Sequence, residues 1–237
     1  MIRLLPMALR GRKKRIERGF LLLTSVVGLL YTTSVFAAAL TGRVEIAGSY
    51  SITPRKNLEE RIKAERSLIV SKDGGIKDAV AFIKGIKETS SLIQKEVTID
   101  QKRKAFIPHV LPIQVGTTVT FKNADPFVHR IISNSETKRI RMEFAYEGAT
   151  MDVTFDKPGV VDVWCDDHKR MQGWILVMES PFFAATDERG HFTIPNLPPG
   201  KYTVVIWHEV LDAQTQEIEV KDGENTKIDF KLPGREF

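Results

Sequence analysis

The sequence predicts an all-β protein that contains two β-sandwiches. From Lys95 onward, short apolar runs follow one another at close spacing and are separated by turn residues. None of this stretch is a good helix, and without helical crossovers a parallel sheet is disfavoured. A chain of 237 residues with 42% hydrophobic content can form one large or two modest domains with an ordinary core.

The predicted strands divide into three groups along the chain. Turns interrupt the middle group at Gly116, at residues 123–126 and at residues 157–159. The first group comprises residues 40–47, 67–70 and 79–83, with a short helix expected from Asn57 through Ile62. The middle group comprises residues 97–100, 111–115, 118–122, 130–133, 151–155, 159–165 and 174–178. In the last group, a turn at 187–190 lies between two apolar runs, the second of which starts a strand at His191. A turn at 197–200 then precedes a strand at 202–207, and two more strands end the chain.

Residues 1–37 have the three-part layout of a secretory signal peptide. They carry seven Lys or Arg and one acid, then an apolar stretch from Phe20 to Phe36, then alanines from Ala37 onward. The pattern has no clean twin-arginine pair, so we expect Sec-type export, cleavage after Ala37 and a periplasmic or secreted protein without membrane insertion. An uncleaved anchor is the alternative, because 17 residues is near the minimum for a span.

The excess positive charge of the chain lies in that N-terminal segment. Beyond residue 37 there remain 28 basic and 29 acidic residues, which is a net charge of −1. This balance gives no reason to expect a nucleic-acid partner.

The segment from Trp164 to Gly173 contains a thiol, an imidazole and a thioether within seven residues. Cys165, His168 and Met171 lie between two predicted strands, and His129 can provide a second imidazole from the start of an earlier strand. Soft thiolate, two imidazoles and a weak axial thioether suit one copper ion that cycles between Cu(I) and Cu(II). Zinc, a nucleophilic Cys-His pair and a cysteine that is only a small buried hydrophobe are the alternatives.

The other histidines and the aromatic residues give weaker signals. His109, His191 and His208 are expected to be structural or exposed to solvent, since such histidines outnumber ligands. Trp164, Trp174 and Phe155 are expected to be core residues.

The metal motif resembles the cupredoxins, and its short His-to-Met gap is closest to amicyanin. The resemblance covers roughly Lys95 to Met178 and includes the motifs Val115–Phe121, Asn123-x-Asp125-x-x-x-His129 and Phe155-x-x-Pro158-Gly159. It implies a Greek-key β-sandwich with a mononuclear type 1 copper site, in which His129, Cys165 and His168 are equatorial ligands and Met171 is axial.

This resemblance further implies one-electron transfer, with a redox partner protein such as a cytochrome or a dehydrogenase. We do not expect an enzyme, because a nucleophilic pair of Cys165 and His168 would need an orienting third group and an oxyanion pocket, and the sequence shows neither. The sequence departs from the family at Arg130, where an Asn usually ties the two copper loops together, and in the many charges around His168. These departures favour the runner-up function, a copper-binding, sensing or delivery protein without an electron-carrier role. A structural, adhesion-like module with a vestigial metal site is the third alternative.

Residues 185–202 resemble the carboxypeptidase-regulatory-like, transthyretin-like (prealbumin-like) sandwich, and the Gly-x-Val of Gly42 to Val44 resembles the first strand of that family. We therefore expect four segments: a signal peptide at 1–37, N-terminal strands of this sandwich at 38–92, a cupredoxin domain at 93–179 that is inserted into the sandwich, and the rest of the sandwich at 180–237. Tandem modules are the alternative. The whole arrangement resembles periplasmic proteins labelled as methylamine-utilisation proteins.

Overall fold

The computed structural model describes residues 38–48, 68–86 and 97–234, and these residues form sixteen β-strands in four sheets without a helix. The prediction of an all-β protein is confirmed for that part of the chain. No helix capable of crossing a bilayer occurs in it. The expected signal peptide and the expected helix from Asn57 fall outside the described residues.

The middle of the chain forms a sandwich of a five-stranded and a four-stranded sheet. The strand order is β5-β11-β10-β7-β8 in the larger sheet and β4-β3-β6-β9 in the smaller. The nine strands are β3 (Val97–Lys102), β4 (Ala105–Ile107), β5 (Val110–Gln114), β6 (Thr118–Asn123), β7 (His129–Asn134), β8 (Arg139–Phe144), β9 (Thr150–Thr154), β10 (Gly159–Cys165) and β11 (Gln172–Met178).

Alternating side chains of these strands fill one core between the two sheets. In β10, for example, Val161, Val163 and Cys165 are buried, while the residues between them are partly exposed. Because successive strand residues point to opposite faces, this period places the cysteine on the core side at the end of its strand. Phe121 and Phe155 pack into the same core.

The first and last parts of the chain form a second pair of sheets. The strand orders are β13-β1-β16 and β12-β2-β14-β15. The strands are β1 (Ala38–Ala47), β2 (Val80–Lys84), β12 (Phe183–Ala185), β13 (His191–Leu197), β14 (Gly200–Trp207), β15 (Gln214–Val220) and β16 (Thr226–Pro233). Strand β1 runs antiparallel to β13 and parallel to β16, so N-terminal strands complete sheets whose other members follow the first sandwich in sequence.

Two glycines permit close backbone approach in this second sandwich. Gly190 has a φ of 80°, and a Cβ there would lie 2.3 Å from the carbonyl oxygen of Val44. At Gly42 a Cβ would lie 1.9 Å from the carbonyl oxygen of Ile228. Any larger residue at either position would push β1 away from its neighbours.

The strand predictions were wrong in a few places. Residues 68–70 form no strand but an isolated bridge between Val70 and Ile76. Strands β4, β8 and β12 were not predicted. Two of them have only three residues, and β8 carries two arginines and a glutamate on the exposed face of an edge strand, where the apolar pattern is weak.

A buried polar cluster joins the two sandwiches. Glu209, which follows β14, has a side chain only 1% exposed, accepts a hydrogen bond from Trp174 Nε1 (2.6 Å) and pairs with His109. The rings of Trp174 and Trp207 meet edge to face with centroids 5.8 Å apart. Thus Trp174, which the sequence suggested as a simple core residue, is an interface residue with a polar partner.

Candidate metal centre

Strand pairing brings three of the predicted metal ligands to one edge of the five-stranded sheet. Strands β7 and β10 are antiparallel neighbours, with Cys165 opposite Ile131. His129 begins β7 and Cys165 ends β10, so their side chains lie at the same edge. His168 comes from the loop between β10 and β11.

The donor atoms of these residues form one compact group. Cys165 Sγ lies 3.5 Å from His129 Nδ1 and 3.5 Å from His168 Nδ1, and the three donors are all within 4.8 Å of one another. Cys165 and His129 are buried, and His168 is partly exposed. No other such group of His, Cys, Asp or Glu occurs in the described parts of the chain.

This arrangement fits a single metal ion. Metal–nitrogen bonds of about 2.0 Å and metal–sulfur bonds of about 2.3 Å, at angles between tetrahedral and trigonal, separate the two donor atoms by roughly 3.5–3.8 Å. The distances of 3.5 Å between Cys165 Sγ and both imidazole nitrogens therefore allow one ion to contact all three donors. A soft thiolate with two imidazoles suits copper, and this cupredoxin-type site could hold one copper ion.

Met171 is fully buried in the same core cluster as Cys165. Its backbone closes the loop, because Met171 N–H donates to the carbonyl of His168 (2.7 Å) and Cys165 N–H donates to the carbonyl of Met171 (3.0 Å). A buried thioether on a loop tied to the cysteine backbone could supply a fourth donor to an ion held by the other three residues.

A carboxylate fixes the ring of His129. The sequence analysis named this residue, Asp125, only as a member of a family motif and gave it no role. Asp125 is buried and lies 3.1 Å from His129 Nε2, the ring nitrogen opposite the one that faces the cysteine. The Nε2–H donates to the carboxylate, which leaves Nδ1 with its lone pair toward the metal position. The signal in the sequence was present, since Asp125 belongs to the turn four residues before His129.

Asp125 is itself held by the backbone of a neighbouring hairpin. It accepts hydrogen bonds from the N–H groups of Arg103 (2.7 Å) and Lys104 (2.9 Å). Burial alone would raise the pKa of Asp125, but these hydrogen bonds and the contact with His129 outweigh burial and lower it. The carboxylate therefore stays ionised, as its bond to the histidine requires.

The loop before His168 is fastened by Arg130. Its guanidinium donates two hydrogen bonds to the Asp167 carboxylate, from Nε to Oδ2 (3.2 Å) and from Nη2 to Oδ1. Its backbone carbonyl accepts a hydrogen bond from the N–H of Asp166 (2.8 Å). This contact connects β7 to the loop between β10 and β11. The departure from the usual Asn at this position thus leaves a different tie between the loops.

The aromatic ring of Phe127 lies against both imidazoles. Its centroid is 5.3 Å from the ring centroids of His129 and of His168, which are 4.9 Å apart. Desolvation, followed by the charges of His129 and Lys104, lowers the pKa of His168. A lowered pKa favours the neutral imidazole, which is the form that binds a metal.

The remaining histidines lie elsewhere. His109 pairs with Glu209 between the sandwiches, His208 is buried beside them, and His191 is exposed near Asp187 (3.6 Å). None of the three joins the group around Cys165.

Comparison with known proteins supports the two resemblances drawn from the sequence. Residues 93–178 match the family of copper binding proteins of the plastocyanin/azurin type, and residues 177–233 match the carboxypeptidase regulatory-like domain. The chain therefore combines a cupredoxin domain with a carboxypeptidase-regulatory-like sandwich, as the sequence predicted.

Similar solved structures come from copper proteins. A copper-containing nitrite reductase from Thermus scotoductus SA-01 is 28% identical over 41% of this chain and 26% of its own, with a TM-score of 0.35. This chain thus spans about a quarter of that reductase. A purple cupredoxin from Nitrosopumilus maritimus is 26% identical over 36% of this chain and 100% of its own, with a TM-score of 0.31. A reduced amicyanin variant is 19% identical over 41% of this chain and 98% of its own, with a TM-score of 0.34.

Proposed function

We propose that the protein is a periplasmic or secreted type 1 copper protein that carries single electrons and is not an enzyme. His129, Cys165 and His168 would be the equatorial ligands and Met171 the axial one. The observation that supports this most strongly is the buried Cys165 Sγ at 3.5 Å from the Nδ1 atoms of both histidines. A copper ion bound by this set would exchange one electron between Cu(I) and Cu(II).

The residues around the donors suit a carrier because they hold the ligands in place. Asp125 orients His129, the backbone bonds of Met171 close the ligand loop, and Arg130 fastens that loop to β7. Ligands that are already positioned need little rearrangement when the charge of the site changes by one unit. Burial of the cysteine and of His129 also keeps water away from two of the donors.

The runner-up function is copper binding, sensing or delivery with the same ligands. The unusual Arg130 favoured it at the level of sequence, since the family's usual loop tie is missing. The forked pair of Arg130 with Asp167 weakens that argument, because it supplies a tie of its own.

We further propose the segment boundaries 1–37, 38–92, 93–179 and 180–237, with the cupredoxin inserted between strands β2 and β12 of the second sandwich. The pairing of β1 with β13 and β16 and of β2 with β12 and β14 supports this discontinuous arrangement over tandem modules. The buried Glu209 cluster suggests that the second sandwich braces the copper domain.

The experiment that tests the function is loading the purified protein with Cu(II), followed by visible and electron paramagnetic resonance spectra and by voltammetry. An intense visible band with a reversible one-electron couple is expected of a carrier. If copper binds without producing the intense band, the electron-carrier function is wrong and the delivery function takes its place.

A further inference from the structure

The copper domain contains a fully buried side-chain amide without a hydrogen-bond partner among the described residues. It belongs to Gln101 in β3, and both its Nε2 and its Oε1 are unpartnered. The observation therefore holds for either orientation of the amide. Because a buried amide without a partner destabilises a fold, its presence calls for a functional explanation.

Strand pairing places Gln101 at the metal end of the smaller sheet. It lies opposite Asn123 of the parallel strand β6. The Asn123 side chain holds the turn that precedes His129. Its Nδ2 donates to the carbonyl of Phe127 (2.9 Å), and its Oδ1 accepts from the N–H of Asp125 (2.9 Å). Gln101 is therefore one strand away from the turn that carries a metal ligand.

The neighbour of Gln101 on the other side is Phe106 of β4. Phe106 is buried in the core cluster that contains Cys165 and Met171. Paired residues of neighbouring strands point to the same face of a sheet, so Gln101 faces this core as well. A Cβ at Gly173, two residues after Met171, would lie 3.1 Å from Phe106 Cβ. Gln101 thus faces the end of the core that contains both sulfur donors.

The polar side chains around Gln101 are already engaged, and the sulfur atoms remain as acceptors. Asn123 Nδ2 donates to two backbone carbonyls, and the Asp125 carboxylate accepts from two backbone N–H groups and from His129. The Met171 thioether is a weak acceptor, whereas a charged acceptor makes a hydrogen bond roughly twice as strong. Cysteine binds a metal as the charged thiolate. The metal-bound sulfur of Cys165 is therefore the acceptor that best satisfies the Gln101 amide.

We infer that Gln101 is an additional hydrogen-bond donor of the copper site, and that its Nε2–H donates to the Cys165 thiolate when copper is bound. This inference rests on the proposed type 1 copper function and adds a residue that sets the reduction potential. The sulfur carries more negative charge in the Cu(I) form than in the Cu(II) form, so the hydrogen bond raises the potential. Gln101 therefore destabilises the metal-free fold and stabilises the Cu(I) form.

The first test compares Gln101→Leu with the control Thr117→Val. Thr117 is also fully buried with an unpartnered hydroxyl, but it precedes β6 and lies at the end of that strand remote from Asn123. Both variants should raise the urea midpoint of the metal-free protein, because each removes an unpartnered buried polar group.

Only Gln101→Leu should change the potential measured by voltammetry. The ratio of Cu(I) affinity to Cu(II) affinity should fall by about three- to tenfold, the range that one hydrogen bond contributes. At about 59 mV for each factor of ten, the reduction potential should fall by about 30–60 mV. Thr117→Val should keep the potential of wild type.

The second test records the side-chain amide resonances of wild-type protein by NMR before and after loading with Cu(I). A Gln101 Nε2–H proton should shift downfield on loading, while the amide protons of Gln216, an exposed residue of the second sandwich, should not. This measurement needs no substitution, so it tests the inference even if Gln101→Leu does not fold. It also needs no electron transfer. A shifted Gln101 proton in a protein without a reversible couple would refute the carrier function and leave the hydrogen bond standing.

Three results would overturn the role of Gln101. Equal potentials in wild type, Gln101→Leu and Thr117→Val would show that the amide does not act on the copper site. A Gln101 resonance that does not move on Cu(I) loading would show that the sulfur is not its acceptor. A lower urea midpoint for metal-free Gln101→Leu would mean that the amide stabilises the fold without copper.

Discussion

Replacing His208 should change how the stability of the protein depends on pH. His208 lies next to Glu209 at the junction of the two sandwiches and is only 4% exposed. Val210 N–H donates to its Nδ1 (3.3 Å). Burial lowers the pKa of His208 to about 4, although the nearby Glu209 carboxylate opposes the shift.

The size of the effect follows from that pKa. An unfolded histidine titrates near 6.5, so between the two values the unfolded chain binds the proton and the folded chain does not. The free energy of unfolding contributed by this difference is present above about pH 6.5 and is lost as the pH falls toward the folded pKa of about 4. Between about pH 7.5 and pH 5 the loss is about 2 kcal/mol.

His109 changes its contribution above pH 6.5, and this change cancels in the comparison because wild type and both variants keep His109. Burial would lower the pKa of His109, but the hydrogen bond and charge of Glu209 raise it. Its contribution is therefore complete below about pH 6.5 and is lost as the pH rises through its raised value. Well below pH 6.5, His109 is protonated in both the folded and the unfolded protein. Of the two histidines, only His208 is then protonated in the unfolded chain and neutral in the folded one.

The assay is urea unfolding of wild type, His208→Gln and His191→Gln, followed by tryptophan fluorescence because Trp174 and Trp207 lie at the junction. Wild type and the exposed control His191→Gln should lose about 2 kcal/mol more between pH 7.5 and pH 5 than His208→Gln does. The comparison is between slopes, so a uniform loss of stability in the variant does not affect it. Parallel pH dependences for all three proteins would refute the reasoning.

Four further predictions have defined outcomes. Glu209→Gln should destabilise the junction by about 1–3 kcal/mol, because His109 and Trp174 Nε1 lose a charged acceptor, and the urea midpoint measures it. Arg130→Met should cost less than about 1 kcal/mol, since the pair with Asp167 is exposed, yet it should speed amide hydrogen exchange in residues 166–170. Met171→Leu should keep copper bound and shift the reduction potential, as read by voltammetry. Mature protein from the cell envelope should lack residues 1–37 by mass analysis.

Each of these outcomes has a clear opposite. An unchanged urea midpoint in Glu209→Gln would show that the junction does not depend on the carboxylate charge. Exchange in Arg130→Met equal to that of wild type would mean that the backbone bonds alone hold the loop. Loss of copper in Met171→Leu would make the thioether a principal ligand, and an intact Met1 in a membrane pellet would indicate an anchor.

The sequence predicted the strands and the donor set because both depend on local patterns. Alternation of apolar residues defined β10, and the spacing of Cys165, His168 and Met171 indicated the metal motif. Two sets of contacts could not be predicted in this way. Asp125 contacts the 103–104 hairpin and Glu209 contacts Trp174, and these residues are 21 to 35 positions apart, so no local pattern predicts that they meet. Likewise, the role of Arg130 depends on which carboxylate lies opposite it after folding.

The most direct test of the central claim compares wild type with Cys165→Ser after loading both with Cu(II). Cys165 is the only cysteine in the chain, so the account predicts one copper per wild-type molecule with intense visible absorption from thiolate-to-copper charge transfer. The serine variant should lack this absorption. A colourless wild-type protein that binds copper, or a variant that keeps the intense band, would contradict the assignment of Cys165 as the copper thiolate.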